Sequence, residues 1–290
     1  MTTPGTLTST VPGAVPGIVL SQLWIYPIKS AAGVSLSSAR TALRGLEYDR
    51  RWMVVDAGGM LVTQRERPEL SQVTPSLAGD ALRVEAEGMP ELALPLEGVG
   101  GQELTVKMWT EPMRAHLMEA ATDWFSTFLG GAYRLVYMPD TTLRPSPDHA
   151  PSPVSFVDGN PFLVVSEASV ADLNGRLENP VSSLNFRPNL VLRGCEAFAE
   201  DAWDSISVGS DAGVHLERVG PCVRCVLVNV DPASGTLHKE PLKTLARYRR
   251  VGNAVHFGQN FRYHHPYTPG TMLSCGDLVT VKGVTRYGAA

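Results

Sequence analysis

The sequence has little of what defines several large protein classes. It contains 4 cysteines in 290 residues, too few for a disulfide framework, and no apolar run of the about 18 residues that a membrane-spanning helix needs. Neither half carries an excess of positive charge, since residues 1–150 hold 12 basic and 16 acidic side chains and residues 151–290 hold 13 of each. We therefore expect a cytoplasmic protein with reduced thiols that binds neither nucleic acid nor membranes.

Signals for nucleotide binding and for targeting are missing as well. No GxGxxG or Walker-type loop occurs, and no segment repeats at a fixed period. The first basic side chain is Lys29, so the opening segment lacks the cationic region of a signal peptide and the arginines of a transit peptide. Residues 1–18 are rich in Thr, Ser, Pro and Gly without periodicity, which predicts a disordered leader.

Short apolar segments separated by turn residues fill most of the chain, which predicts a mostly β fold with a few helices (α+β). Five prolines between Pro139 and Pro153 predict a linker, so we expect two β-barrel domains over residues 19–138 and 154–285. Helices are predicted over 121–129, where an aromatic stripe belongs to the core, after Ser166 as N-cap, and over 242–250. The predicted strands are 51–56 and 60–64, which form a hairpin, then 81–86, 91–96, 103–109, 161–165, 190–193, 205–208, 214–219, 226–230 and 278–282.

The most informative local motif is Cys222-Val223-Arg224-Cys225. Such a motif can be half of a zinc site, a dithiol redox pair, the home of one reactive thiolate, or two ordinary thiols at a turn. The other cysteines, Cys195 and Cys275, are single and distant in sequence, which disfavours zinc, and a strand rather than a helix is predicted to follow Cys225. The reactive-thiolate interpretation gains from the fixed positive charge of Arg224.

Three further segments place cations beside hydrogen-bonding groups at predicted strand ends. Lys29 and Ser30 follow an apolar run, Arg50 and Arg51 precede one, and Arg187 stands in the segment Asn185–Asn189. Arginine offers forked donors and lysine a point charge, which suit a phosphate group. One soft thiol together with several such donors suggests a phosphorylated cofactor that holds a soft metal.

Eight stretches of the sequence resemble, in order, a MOSC-domain protein of the branch that has an N-terminal β-barrel domain and includes the mitochondrial amidoxime-reducing component and its bacterial relatives. These stretches are Leu23–Leu36, Gly45–Asp56, Pro161–Leu177, Asn185–Gly194, Cys222–Gly235, Lys239–Arg249, Phe257–Phe261 and Pro269–Val281. The resemblance implies an N-terminal MOSC β-barrel domain followed by a MOSC domain, and a molybdenum cofactor whose metal is bound by the second cysteine of the motif, Cys225. The positions matching the family's cofactor contacts are Lys29, Ser30 and Arg50 at the phosphate end, Arg187 and Asn189 of the R-P-N signature, Arg224 before the ligand, and, by a weaker match, Asp158 and Gly159.

The resemblance implies a reductase that cleaves the N–O bond of small N-hydroxylated compounds. Some bacterial relatives carry a C-terminal ferredoxin domain, but no cysteine follows Cys275 here. We therefore expect electrons from a separate donor, either ferredoxin-like, cytochrome b5-like or a flavin reductase.

No single proton donor stands out, and His264, His265 and Asp158 are the candidates. The alternatives are a cofactor carrier without turnover, or persulfide transfer, which normally accompanies a pyridoxal-phosphate domain for which two barrels leave no room.

Overall fold

The computed structural model describes residues 17–97, 101–146, 153–210, 213–267 and 269–285, and strands dominate it. The strands of the N-terminal half are β1 Val19–Ile25, β2 Val34–Leu36, β3 Ser38–Ala42, β4 Gly45–Leu46, β5 Trp52–Asp56, β6 Thr74–Ala78, β7 Ala81–Glu85, β8 Leu92–Pro95, β9 Glu103–Met108, β10 Glu111–Leu117 and β11 Tyr133–Tyr137. Those of the C-terminal half are β12 Phe162–Ser166, β13 Leu190–Arg193, β14 Trp203–Val208, β15 Val214–Arg224, β16 Arg250–Val251, β17 Ala254–Tyr263, β18 Met272–Ser274 and β19 Val279–Val284. The α-helices are α1 Thr122–Leu129, α2 Glu167–Asn174 and α3 Leu242–Tyr248, and 3-10 helices span Pro68–Gln72, Glu119–Ala121, Ser183–Phe186, Ala199–Ala202 and Val226–Asn229. The prediction of a mostly β fold with a few helices is confirmed.

The largest sheet contains strands from both halves of the chain. Its order is β19-β14-β15-β17-β12-β13-β1-β2, with β16 paired to β17. Only β12 and β13 among these pairs run parallel, and β1 lies antiparallel to β13. The start of the described chain is thus built into the sheet of the C-terminal half.

Three smaller sheets complete the strand pairing of the described residues, with the orders β5-β11-β10-β9, β18-β3-β4 and β6-β7-β8. The second of them again joins the halves, because β18 pairs with β3. The division into domains at residues 138 and 154 stays a prediction. Most of the predicted leader, residues 1–16, and residues 147–152 of the predicted linker lie outside the described part of the chain.

The predicted helices are present, and their local chemistry explains their positions. Trp124, Phe125 and Leu129 of α1 are buried in one apolar cluster, which confirms that this aromatic stripe belongs to the core. At the start of α2 the Ser166 hydroxyl accepts a hydrogen bond from Ser169 N at 3.0 Å, as predicted for an N-cap. No helix within the described ranges is long and apolar enough to cross a membrane.

The predicted strand at 226–230 is wrong, because Val226–Asn229 form a 3-10 helix directly after Cys225. The side-chain amide of Asn185 donates to the carbonyls of Val228 and Val230 at 3.0 and 3.3 Å. The Asn185 side chain therefore supplies the hydrogen bonds that a neighbouring strand would have supplied to these carbonyls. Isolated apolar runs of this length do not distinguish the two outcomes.

Two other strand predictions needed correction. The second arm of the predicted hairpin, 60–64, is reduced to isolated bridges of Met60 with Lys107 and of Leu61 with Val55. The strand predicted at 214–219 continues as β15 to Arg224, so Cys222 lies in a strand and not at a turn. It pairs with β14 and with β17, and the sequence did not predict β17 as a strand.

Candidate functional site

Segments that follow β1 and β15 and precede β5, β12 and β13 converge on one cavity of about 720 Å³. This volume is typical of small-molecule and cofactor sites. The structure brings all nine sequence-predicted site residues to its wall. They are Lys29, Ser30, Arg50, Asp158, Gly159, Arg187, Asn189, Arg224 and Cys225.

Three of these wall residues have an unusual backbone conformation. Ser30, Arg50 and Arg187 have φ values of +68°, +51° and +56°, in the left-handed region that residues other than glycine rarely adopt. Each stands where the chain turns into or out of a short element, and Arg187 ends the 3-10 helix Ser183–Phe186. Strain of this kind persists where the surrounding structure holds it, and it concentrates at functional sites.

Two guanidinium groups of the wall contact a single buried aromatic ring. The Cζ atoms of Arg50 and Arg187 lie 4.3 and 4.1 Å from the ring centroid of Tyr26. Arg50 also donates to Asp49 Oδ2 at 2.6 Å and to the carbonyl of Arg187 at 3.2 Å. Cation–π contacts and these bonds fix both guanidinium planes before any ligand arrives.

Asn189 is the residue that ties this cluster to the strands. Its Oδ1 accepts hydrogen bonds from Arg50 Nη1 and Leu163 N, both at 3.2 Å. Its Nδ2 donates to Trp24 O at 3.2 Å and to Asp49 Oδ2 at 3.1 Å. These four bonds use the whole hydrogen-bonding capacity of the amide. Asn189 therefore orients Arg50, and its predicted contact with a cofactor stays a prediction.

Arg187 and Arg224 both keep a buried donor without a partner. Arg187 Nη1 donates to Ala31 O at 2.7 Å, and Arg224 donates to the carbonyls of Phe257 and Phe186 at 2.8 and 3.1 Å. The Nη2 atom of each has no hydrogen-bond partner within the part of the chain that the structure describes. Burial lowers the pKa of both guanidinium groups, that of Arg187 to about 10 with a further contribution from Arg50. Buried N–H groups of this kind call for an acceptor.

Lys29, which follows β1, forms an ion pair with Asp158, which precedes β12. Lys29 Nζ donates to Asp158 Oδ1 at 2.6 Å and to Phe156 O at 2.8 Å. Burial would raise the pKa of the Asp158 carboxyl, but the attraction of Lys29 outweighs it and, with Arg65 and Arg50, holds the pKa at about 2. Asp158 is thus ionised at neutral pH and unsuited to donate a proton.

The other two proton-donor candidates lie outside the cavity wall. His264 is an exposed residue whose Nδ1 lies 3.3 Å from Glu217 Oε2, and His265 is adjacent to it in the sequence. Neither histidine lines the cavity. None of the three candidates is therefore supported as the proton donor.

The two cysteines of the motif differ in their surroundings, although both line the cavity. Cys225 is exposed, at the junction of β15 and the following 3-10 helix. Cys222 is partly buried against an apolar cluster, and burial raises the pKa of its thiol. A thiol accessible from the cavity is the better metal ligand, since ligation needs the thiolate and an open approach.

Arg65 is a site residue that the sequence reasoning missed. Its Nη2 lies 3.3 Å from Cys225 Sγ and 3.8 Å from Asp158 Oδ2. Nothing in the local sequence separates it from the nearby Arg67, and its contact with Cys225 spans 160 positions. With it, five cationic side chains and one carboxylate among the residues that the structure describes line the cavity: Lys29, Arg50, Arg65, Arg187, Arg224 and Asp158.

This arrangement suits a ligand with a strongly anionic end and a soft metal. The excess of cations and the two buried donors without partners match a phosphate group. The exposed thiol matches a metal–sulfur bond. The residues present thus fit a phosphorylated metal cofactor.

Comparisons with known proteins point in the same direction. Residues 17–132 match the family model of the MOSC N-terminal beta barrel domain, and residues 151–280 match that of the MOSC domain. The chain is 36% identical to mitochondrial amidoxime-reducing component 1 of Homo sapiens, over 91% of this chain and 83% of that protein. It is 38% identical to mitochondrial amidoxime reducing component 2 of Bos taurus, over 79% and 72% of the two chains. It is 34% identical to mitochondrial amidoxime-reducing component 1 of Xenopus laevis, over 82% and 73%.

Proposed function

The chain belongs to the MOSC-domain family that includes the mitochondrial amidoxime-reducing components, and from this premise we propose that it is a molybdenum-cofactor-dependent reductase of N-hydroxylated compounds. The overall reaction converts an N–OH group, two electrons and two protons into N–H and water. The observation that carries the proposal is one cavity wall that combines an exposed thiol, Cys225, with buried cations and unpartnered donors.

The cofactor would be held at its two ends by different residues. Lys29, Ser30 and Arg50 would bind the phosphate end, with the unpartnered Nη2 atoms of Arg187 and Arg224 as further donors. Cys225 would be the protein ligand of the metal. When bound, the cofactor supplies two-electron redox chemistry at molybdenum, which no side chain of the protein can supply.

The chain's own residues then bind and orient. The ring of Tyr26 fixes two guanidinium planes, Asn189 fixes Arg50, and Asp158 balances the buried charge of Lys29. Such preorganised donors favour a charged group without rearrangement on binding. Asp158 stays ionised, so the protons of the reaction would come from solvent or from the substrate.

The electron source and the location of the protein are separate parts of the proposal. We propose a separate donor, either ferredoxin-like, cytochrome b5-like or a flavin reductase. All four cysteines are unpaired, which suits the cytoplasmic location expected from the sequence. The names of the relatives place those proteins in mitochondria, so organelle fractionation is the direct test of location.

The function is tested by expressing the protein with a supply of molybdenum cofactor. Molybdenum and pterin are measured in the purified protein, and reduction of an aryl amidoxime is followed with a chemical reductant. We expect stoichiometric metal and turnover in the wild type, loss of both in Cys225→Ser, and retention of both in Cys275→Ser, whose thiol is exposed but lies outside the cavity. Bound cofactor without turnover under any reductant would support a carrier, and a stable extra sulfur on Cys222 or Cys225 would support persulfide transfer.

A further inference from the structure

Arg65 differs from the other cations of the cavity wall in what its guanidinium contacts. The guanidinium groups of Arg187 and Arg224 are anchored to backbone carbonyls. That of Arg65 is bonded, within the described residues, only to the sulfur of Cys225, at 3.3 Å, and it lies 3.8 Å from the Asp158 carboxylate. A guanidinium has five N–H donors, so Arg65 retains capacity for a ligand.

The backbone that carries Arg65 is held rigidly. Thr63 Oγ1 accepts from Arg65 N at 3.2 Å and donates to Glu66 Oε2 at 2.5 Å. The side chain of Gln64 donates to Ser30 O at 2.7 Å, which ties this turn to the predicted phosphate end of the cavity. The turn therefore fixes the backbone from which the Arg65 side chain extends to Cys225.

An unusually placed tryptophan supports the guanidinium from another part of the chain. Arg65 Cζ lies 5.0 Å from the ring centroid of Trp109. Trp109 has a φ of +58° in the tight connection between β9 and β10, and 45% of its surface is exposed. A bulky residue in the left-handed region costs conformational energy, and a large exposed ring costs solvation. Trp109 therefore keeps an unfavourable backbone conformation and an exposed ring at the position where it contacts the Arg65 guanidinium.

We propose that Arg65 binds the oxygen of the substrate's N–O group and that Trp109 is the positioning residue that orients it, an inference that rests on the proposed function. The N–O bond of the bound substrate would have to lie close to Cys225, the proposed ligand of the metal. Among the described residues, Arg65 is the cationic side chain within hydrogen-bond distance of that thiol. As the N–O bond breaks, negative charge develops on the oxygen, and a fixed guanidinium stabilises it.

The test uses the cofactor-loaded protein and an aryl amidoxime as the probe. Steady-state kinetics with a chemical reductant give KM and kcat, and a titration without reductant gives the dissociation constant of the substrate. Arg65→Gln should raise KM and the dissociation constant about tenfold or more, the loss of one charge-assisted hydrogen bond. It should also lower kcat, because the charge that develops on the oxygen loses its partner, while metal and pterin contents stay at the wild-type level. Arg65→Lys should recover part of the loss because it keeps the charge. Arg83→Gln is the matched control, since Arg83 is an exposed arginine of the same half outside the cavity wall.

Trp109 is tested by comparing Trp109→Ala with Trp109→Phe. The alanine variant should raise KM and the dissociation constant about threefold, as expected for loss of an exposed cation–π contact, and the phenylalanine variant should restore most of it. In Arg65→Gln, the further substitution Trp109→Ala should add nothing, because the residue it positions is gone.

Several results would overturn the inference. Unchanged KM and dissociation constant in Arg65→Gln would do so, and so would loss of metal in that variant, which would make Arg65 a cofactor contact. If Trp109→Ala raises KM with a protein electron donor but not with the chemical reductant, the surface around Trp109 binds the electron donor and not the substrate. If the wild type binds the amidoxime through Arg65 but reduces no N-hydroxylated compound, the proposed function fails while the binding role of Arg65 stands.

Discussion

The ammonium of Lys29 lies 2.6 Å from the Asp158 carboxylate, although 129 positions separate the two residues in the chain. Burial lowers the pKa of Lys29 despite this partner, so the ammonium is held in a place that disfavours its charge. The carboxylate is the half of the pair that retains contact with solvent, with 57% of its side chain exposed. Protonation of the Asp158 carboxylate at low pH therefore removes the charged partner of the buried Lys29 ammonium.

Asp158→Asn should make the stability of the protein less dependent on acid. The folded-state pKa of about 2 lies below the usual value of 3.8, so the ion pair stabilises the fold above the usual value and this contribution is lost as the pH falls towards 2. After allowance for solvent at the exposed carboxylate, we expect the variant to be less stable by about 1–2 kcal/mol at pH 7. Urea unfolding at pH 7 and pH 3 measures this, with Asp80→Asn as an exposed control. A deficit of equal size at both pH values would contradict the prediction.

The four thiols should differ in their reaction with iodoacetamide at pH 8. Burial raises the pKa of Cys195 to about 11 and raises that of Cys222, so both remain protonated and unreactive. Cys225 and Cys275 are exposed and should be modified first in cofactor-free protein. Loading with cofactor should then protect Cys225 and leave Cys275 reactive, as peptide mass spectrometry would show. Equal protection of both thiols would argue against Cys225 as the ligand.

Replacing Arg187 should weaken cofactor retention more than it weakens the fold. Arg187→Lys keeps a positive charge but loses the planar group that stacks on Tyr26 and carries the unpartnered Nη2. The loss of one or two charge-assisted bonds corresponds to roughly 10- to 100-fold weaker binding. Pterin and molybdenum contents after dialysis measure the effect, and Arg193→Lys, an exposed arginine at the end of β13, is the control. Wild-type retention in Arg187→Lys would remove this residue from the cofactor site.

Glu200 should make the protein less stable as the pH rises. Its side chain is fully buried beside α2, where Ser166 N and the Ser169 hydroxyl donate to one carboxylate oxygen. Burial raises its pKa above the usual 4.5, so the folded state disfavours the charged form, and stability is lost as the pH rises above that value. Glu200→Gln should remove this slope, and Glu196→Gln, an exposed neighbour, should leave it. Thermal unfolding of the cofactor-free protein at pH 5 and pH 8 tests the difference.

The sequence by itself determined the secondary-structure class, the family and the main wall of the candidate site. Alternating apolar residues and turn residues specify short strands locally, and Ser166 specifies the start of α2 through its own hydroxyl. The nine site residues were found because they match positions of the family that the sequence resembles, and Asn189, Asp158 and Gly159 were found through that resemblance alone. The structure brings all nine to one cavity, while their individual roles stay predictions.

Only the tertiary structure decided which residues meet. The 3-10 helix after Cys225 exists because Asn185, some 40 positions earlier, satisfies its carbonyls. Arg65 reaches Cys225 from a distant turn of the chain, and Trp109 reaches Arg65 from another. Strand β1 enters a sheet made mostly of strands from the C-terminal half. Such contacts depend on how separate segments pack against each other, and the periodicity of a segment carries no information about its partners.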